Sequence, residues 1–396
     1  LTAPTELADA AHIRADPIAI LQALIRCPSV TPEEGGALHY LAALLGEADF
    51  ATDIVRFAEA GTPDVDNLFA QIGEGAPHLV FAGHTDVVPP GDLARWRFDP
   101  FAGEIADGMI FGRGAADMKG GIAAFAAAAL DYVAQFGAPR GSLSLLITGD
   151  EEGPAINGTV KLLQWAADRG EHFSHCIVGE PTNPNALEEV IKIGRRGSLN
   201  GEIVVAGRQG HSAYPHLAEN PLPTIARIVT ALSDLVLDNG NAHFDRSQLV
   251  MTSVDVGNAA FNVIPGEARA RFNVRFNDIW TPDTLRERLE AVVREAAGNA
   301  NAELICLPCN SLAFITKLNG FVETVSGAIE AETGRRPVLS TSGGTSDARF
   351  IREYCPVVEF GLVGQTMHAF DEHVAVKDVH ALTGIYGRII RDYFRA

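Results

Sequence analysis

The sequence predicts an α/β protein: a main domain with a mostly parallel mixed sheet flanked by helices, interrupted by an inserted α+β unit of ferredoxin-like order. Three observations predict it. From Asn67 to Val178 apolar strand-like runs alternate with helical ones, the pattern of a largely parallel sheet. From Gly197 the order becomes β-α-β-β-α-β, a compact two-layer unit able to fold by itself. After about Asn310 the α/β character returns, so the middle reads as an insertion and the chain divides into 1–196, 197–310 and 311–396.

In chain order, a helical pattern covers Pro17 to Arg26, strands are expected near Asn67 to Ile72 and His78 to Ala82, and an Ala-rich helix runs from Lys119 to about Gln135. The run Ala123 to Ala129 is simply a good helix former. A strand at Ser142 to Thr148, a helix near Thr159 to Asp168 and a strand at His175 to Val178 complete the first part. The insertion supplies a strand at Ser198 to Val205, a helix at Pro221 to Leu237, and strands at Gln248 to Val254 and Glu267 to Phe276. A helix at Pro282 to Ala297 and a strand at Ala302 to Leu307 close it. The last part carries a helix at Gly320 to Glu332, a strand at Val357 to Phe360 and a helix from Lys377.

The chain has 396 residues, 47% of them apolar and 20% charged, an ordinary globular composition with room for two or three domains. Its formal net charge of -19 argues against a nucleic-acid partner or an anionic membrane surface, both of which need basic patches. The pairs Arg195-Arg196 and Arg335-Arg336 are too small for a polyanion track, although either could hold one carboxylate. Five scattered cysteines do not make a disulfide framework and fit a reducing compartment. Cys306 and Cys309 match the C-x-x-C spacing but lack a second pair or a thioredoxin-like context. No apolar run approaches the roughly 20 residues a membrane span needs. Leu1-Thr-Ala-Pro-Thr-Glu shows no export signal. The expectation is a cytoplasmic protein.

The most informative segment is Leu79 to Pro90, where an apolar strand ends in His84 and Asp86. Residues two apart on an extended chain share a face, so His84 could offer a nitrogen to a cation while Asp86 steadies the ring. Alone, such a pair is more often a satisfied polar contact. Carboxylates recur where other strands or Gly-rich turns stop: Asp117 after Gly112-Arg-Gly, the run Asp150-Glu151-Glu152, and Glu180. Loops beyond strand carboxyl ends line the ligand crevice of open α/β sheets, so these groups could converge there. Each cluster read singly is more readily a helix cap or a solvated turn.

Taken together, Gly83-His84-Thr85-Asp86, the Gly112 to Gly120 turn with Asp117, Asp150-Glu151-Glu152, Gly179-Glu180-Pro181 and a late His368 resemble the dinuclear-zinc amidohydrolases, the family of acetylornithine deacetylase, aminoacylase and carboxypeptidases. The likeness runs over nearly the whole chain. Finer wording is similar to the branch of that family that removes succinate from N-succinyl-diaminopimelate: Arg195-Arg-Gly-Ser, Gln209-Gly-His211-Ser-Ala-Tyr214-Pro, Asn262-Val-Ile-Pro and Gly343-Gly344-Thr345-Ser-Asp.

The resemblance implies two Zn2+ per subunit, with Co2+ able to substitute. His84 and Glu180 would hold one, Glu152 and His368 the other, and Asp117 would bridge them. These are ligand types zinc accepts. Glu151 would be the general base and Asp86 would orient His84. An extended Glu151-Glu152 segment would turn the two side chains to opposite sides. The insertion would act as a lid and dimerisation domain of a homodimer, sending His211 to the partner subunit's site as an oxyanion donor; the alternative for His211 is a hydrogen bond within a surface loop. Arg195 and Arg275 would grip substrate carboxylates, Asn262 would hydrogen-bond substrate, and the Gly344-Thr345 backbone would add donors, each with a domain-junction contact as its alternative. Phe261 departs from the branch, which often has Asn there. His373 is a second histidine near His368 and reads as its neighbour.

The implied substrate is a small anionic N-acyl amino acid, and the implied reaction is hydrolysis of N-succinyl-LL-2,6-diaminopimelate to succinate and LL-2,6-diaminopimelate in lysine and diaminopimelate biosynthesis. The enzymatic alternative is another zinc-dependent N-acyl-amino-acid deacylase, such as acetylornithine deacetylase. A non-catalytic scaffold is opposed by the intact set of five ligands plus Glu151. A dinucleotide-binding reading of Gly112-x-Gly114 fails because Asp117 stands where the third glycine should fall.

Overall fold

Helix and strand boundaries follow local chemistry in both parts of the chain. A computed structural model describes residues 15–318 and 320–395. The N-terminal stretch read above for an export signal lies outside them. The chain forms two compact units, one up to Ile193 with Thr316–Leu339 and the segment from Phe350 on, the other Gly194–Ile315 with Ser340–Arg349.

The first unit is built on an eight-stranded mixed sheet in the order Ala51–Phe57, Val65–Gly73, Ser142–Thr148, His78–His84, His175–Val178, Val357–Glu359, Val190–Lys192, Val338–Ser340. Its centre is parallel: His78–His84 pairs in parallel with Ser142–Thr148 and His175–Val178, and the latter with Val357–Glu359. The strands His78–His84 and Ser142–Thr148 are buried at every position, which is why apolar residues fall on both of their faces. The edge strand Ala51–Phe57 is half exposed and charged, and gave no clear signal in the sequence. The short helix Ala37–Gly46 behind Gly35 and Gly36 was equally silent.

Helix Gly120–Phe136 lies deep against the sheet, and its residues from Gly120 to Ala129 are all buried. Small side chains allow this close approach. A Cβ on Gly121 would meet the carbonyl oxygen of Gly179 at 2.5 Å, so glycine there lets the helix start next to the loop carrying Glu180. The long closing helix Val376–Arg395 buries Leu382, Ile385, Tyr386 and Ile389 on one face. Each such aliphatic side chain contributes about 1.5–3 kcal/mol on burial.

In the second unit, strands Gly197–Ala206, Gln248–Asp255, Glu267–Phe276 and Ala302–Cys306 form an antiparallel sheet, with Glu267–Phe276 and Gly197–Ala206 at its centre. Helices Leu222–Ser233 and Pro282–Ala297 cover one face over a core of Ile203, Ile228, Phe272, Val274 and Leu289. This is the ferredoxin-like order. Thr281 caps the second helix by a reciprocal side-chain box with Thr284, and Pro282 opens it. The first helix stops at Ser233 rather than running to Leu237, because the Asp238 carboxylate gathers Gly240 N–H, Ser247 N–H, Asn277 and Trp280 and turns the chain away.

The boundaries of the second unit differ from 197–310. Arg195 pairs with Phe314 in a two-residue ribbon, and Ser340–Arg349 joins this unit through Thr341 Oγ1 to the His243 carbonyl at 2.6 Å and Thr345 to Ser311 at 2.8 Å. Long-range hydrogen bonds of this kind leave no periodicity in sequence.

Candidate metal centre

Three parallel strands deliver the first half of the site. His84 ends its strand opposite Thr148 of the neighbour, so Glu151 and Glu152, just past Thr148, and Glu180, just past Val178, emerge on the same side. Asp117 arrives from the turn Ala115–Lys119, whose backbone is non-helical at that residue. His368 comes from a loop before the closing helix and has φ +59°.

The side chains meet in a definite pattern. His84 Nε2 lies 3.3 Å from Asp117 Oδ1 and 3.9 Å from Glu180 Oε1. His368 Nε2 lies 3.2 Å from Asp117 Oδ2 and 2.7 Å from Glu152 Oε1. Asp117 thus turns one oxygen to each imidazole. Ligand atoms of His84, Asp117 and Glu152 lie within 4.8 Å of one another, as do those of His84, Glu151 and Glu180. His373 stands apart, its Nδ1 on the Asp371 carbonyl and its ring near Phe111.

Two details differ from the sequence expectation. Asp86 hydrogen-bonds His84 through its backbone, and its carboxylate acts on the ring only through charge. The His84 Nδ1 donates to the Asp86 backbone carbonyl at 2.9 Å, while the nearer carboxylate oxygen is 3.6 Å away. The Asp86 carboxylate instead accepts the N–H groups of Glu151 and Glu152 at 3.2 and 3.0 Å. Glu151 and Glu152 therefore sit in a bend pinned by Asp86, not on an extended segment.

The electrostatics suit a cation. With Nδ1 donating to a carbonyl, Nε2 of His84 points at carboxylate oxygens, so a proton on Nε2 or a cation must lie between them. Burial and the neighbouring Asp117 and Glu151 charges push Glu180 well above the usual carboxylate range. His368 is pushed up to about 10 by its hydrogen bonds to Asp117 and Glu152. Burial opposes ionisation of Asp117, but the two histidines hold it below its ordinary value. A proton can bridge such groups singly, whereas two imidazoles amid this many carboxylates match the donor set of divalent cations such as zinc.

Sequence reasoning gave Arg113 and Glu372 no role. They form a buried ion pair at 2.6 Å beside the centre, and each was visible only as a charge inside a Gly-rich or His-containing motif. A cavity of about 810 Å³ lined by Asp131, Tyr132, His380 and Arg391, among others, contains none of the candidate ligands.

The second unit holds the other candidates. His211 is exposed and pairs with Val263 in a two-residue ribbon. Its Nδ1 accepts the Ala213 N–H at 3.0 Å, so in the neutral ring the proton is on Nε2, available to donate. Ser212 N–H donates to the Asn262 carbonyl at 3.0 Å, bringing Asn262 beside His211. Phe261 is fully exposed. Arg195 Nη1 donates to the Gly344 carbonyl at 3.2 Å, and a Cβ on Gly343 would strike that same nitrogen at 2.7 Å, so glycine with φ +104° is required there. Gly344 thus serves Arg195 as an acceptor, and the Thr345 hydroxyl is joined to Ser311. Arg275 is half-buried near Arg195 and Arg196, and its Nη1 has no hydrogen-bond partner among the described residues. Burial and these like charges depress its affinity for its proton.

Residues 80–392 match the model of peptidase family M20/M25/M40. A relative from Methylocella silvestris named succinyl-diaminopimelate desuccinylase is 61% identical over 391 residues, covering 98% of this chain and 100% of the relative. One of the same name from a Bradyrhizobium species is 59% identical over 381 residues, covering 96% and 99%. Among solved structures, the M20 family metallo-carboxypeptidase Sso-CP2 of Sulfolobus solfataricus superposes with a TM-score of 0.78 at 18% identity, covering 96% of this chain and all of that one. YXEP of Bacillus subtilis, a dinuclear metal-binding peptidase of the M20 family, gives 0.71 at 18% identity, covering 96% and 98%.

Proposed function

The chain belongs to peptidase family M20/M25/M40, and from that premise we propose that it is a metal-dependent hydrolase that splits the amide of N-succinyl-LL-2,6-diaminopimelate into succinate and LL-2,6-diaminopimelate, a step of lysine and diaminopimelate biosynthesis. The substrate follows from identity near 60% over essentially the full length of relatives so named. The chemistry follows from one observation, the two Asp117 oxygens turned to two separate imidazoles.

On this reading the centre takes two Zn2+, with Co2+ able to substitute. His84 and Glu180 hold one, His368 and Glu152 the other, and Asp117 lies between. Bound cations supply Lewis acidity towards the water and the carbonyl oxygen. Glu151, whose carboxylate lies within 4.8 Å of ligand atoms of His84 and Glu180, would accept the proton of the attacking water and return it to the departing amine. Asp86 positions Glu151 through its backbone N–H. In the homodimer, the Nε2 proton of His211 would serve as an oxyanion donor in the partner subunit's site. Arg195 and Arg275 would offer guanidinium groups to the substrate carboxylates, and Asn262 a further hydrogen bond. The Gly344 and Thr345 backbone N–H groups would add donors there. We take the protein to be a cytoplasmic homodimer joined through the second unit. No described helix is long and apolar enough to cross a membrane.

The test is turnover of succinylated diaminopimelate against acetylornithine, before and after chelation. Preference for the succinyl compound, loss of turnover on chelation and recovery with Zn2+ are expected. Preference for acetylornithine reassigns the substrate, and undiminished turnover by verified metal-free protein rejects the chemistry.

A further inference from the structure

We propose that the buried Arg113–Glu372 ion pair is the positioning element that sets the two ends of the metal centre against each other, Glu372 fixing Asp117 and Arg113 fixing His368. This rests on the reading of Asp117 and His368 as ligands.

The geometry is specific at both ends. Glu372 Oε1 accepts the backbone N–H of Ala116 and Asp117 at 2.9 and 3.1 Å, so it holds the turn from which the Asp117 carboxylate projects. Glu372 Oε2 meets Arg113 Nη1 at 2.6 Å. The same guanidinium then donates to the Ala369 carbonyl at 3.2 Å and, through Nη2, to the His368 carbonyl at 3.3 Å. His368 has a left-handed backbone, φ +59°, which a residue with a Cβ keeps only where its surroundings over-determine it. Two carbonyls gripped by one rigid guanidinium fork supply that constraint. Gly112 N–H donates to the Glu372 carbonyl at 2.8 Å, which closes the loop between the Gly-rich turn and the His368 segment.

Stability alone does not account for the pair. Arg113 is 2% and Glu372 0% exposed, and burying two charges costs enough desolvation that apolar residues of like volume usually do as well. The pair instead joins segments about 255 residues apart that deliver Asp117 and His368. The Trp96 ring, 5.1 Å from the guanidinium, stacks on the pair.

Glu372→Gln, Arg113→Lys and Asp117→Asn would be compared for metal affinity by chelator competition and for kcat and KM separately. Glu372→Gln and Arg113→Lys are expected to weaken metal retention about 10–100-fold and lower kcat by a similar factor. KM should stay within about twofold, because the substrate-binding groups are untouched. A merely structural pair would lower the melting temperature and leave the metal affinity of the folded protein unchanged; that outcome overturns the proposal. If Glu372→Gln fails to fold, Arg113→Lys keeps the charge pair, loses the planar fork and decides the question by the same measure. Asp117→Asn separates the two layers. Metal retained by that variant means the ligand reading is wrong, while metal lost there but kept in both other variants means only the positioning role is.

Discussion

The strand His78–His84 carries a buried histidine at each end, and the two ends behave in opposite ways. His78 is 2% exposed and His84 1%. At the first end, His78 Nε2 meets the neutral Ser144 hydroxyl at 2.7 Å, and the partly exposed Glu171 carboxylate stands 3.5 Å from Nδ1. Burial wins, and the imidazole is pushed down to about 4. At the other end burial again opposes the charge, yet the hydrogen bond to Asp117 and the charges of Asp86, Asp117 and Glu151 raise His84 well above its ordinary value. Residue type, strand and burial are shared. What differs is the company found where parallel strands stop, and that alone makes one histidine structural and the other a ligand candidate.

Glu151→Ala puts the largest strain on this contrast. Loss of the general base should lower kcat by about 10²–10⁴-fold with metal content unchanged. Metal analysis of the purified variant checks the second half: loss of one ion would make Glu151 a ligand and redraw the carboxylate end.

Asp86→Asn should cost less, about 10–100-fold in activity or metal affinity, because it weakens the hold on the Glu151-Glu152 bend while leaving the carbonyl that orients His84. Steady-state kinetics with metal titration measures it. A loss as large as that of His84→Ala would return the orienting role to the carboxylate.

His78→Gln should have the smallest effect on catalysis, with kcat/KM within about twofold of the parent. Its effect lies in acid stability. His78 binds its proton near 4 when folded and near 6.5 when unfolded, so the unfolded chain takes up the extra proton first. Stability from this group is fully present above about 6.5 and is lost as pH falls through 4, about 3 kcal/mol in all. Denaturant unfolding at several pH values should find that decline reduced in the variant. An unchanged pH dependence would mean that the two ends of the strand differ for some other reason.

The elements that could be read in advance are those with an internal period. Ser142–Thr148, His175–Val178, Glu267–Phe276 and Pro282–Ala297 fall where the residues place them, because continuous apolar runs, strict alternation and a capped amphipathic repeat are local signals. Helix Ala37–Gly46 and strand Ala51–Phe57 were missed because one is short and flanked by glycine and the other is a charged edge. Of the site, the histidines and carboxylates stood out at strand ends. Arg113 and Glu372 did not, since each takes its meaning only from a partner about 260 residues away.

By itself the sequence determined which chemical groups this protein has to work with and on which strand ends they sit, because strand-forming runs and their terminating residues are encoded within a few positions. Only the tertiary structure decided that Glu152 meets His368 across 216 residues, that a carbonyl of Asp86 rather than its carboxylate holds His84, and that the two oxygens of Asp117 face different imidazoles. Those choices depend on parallel strands stacked in register and on a helix packed close enough to bring its N-terminal turn to them, and no local preference of the chain encodes such distances.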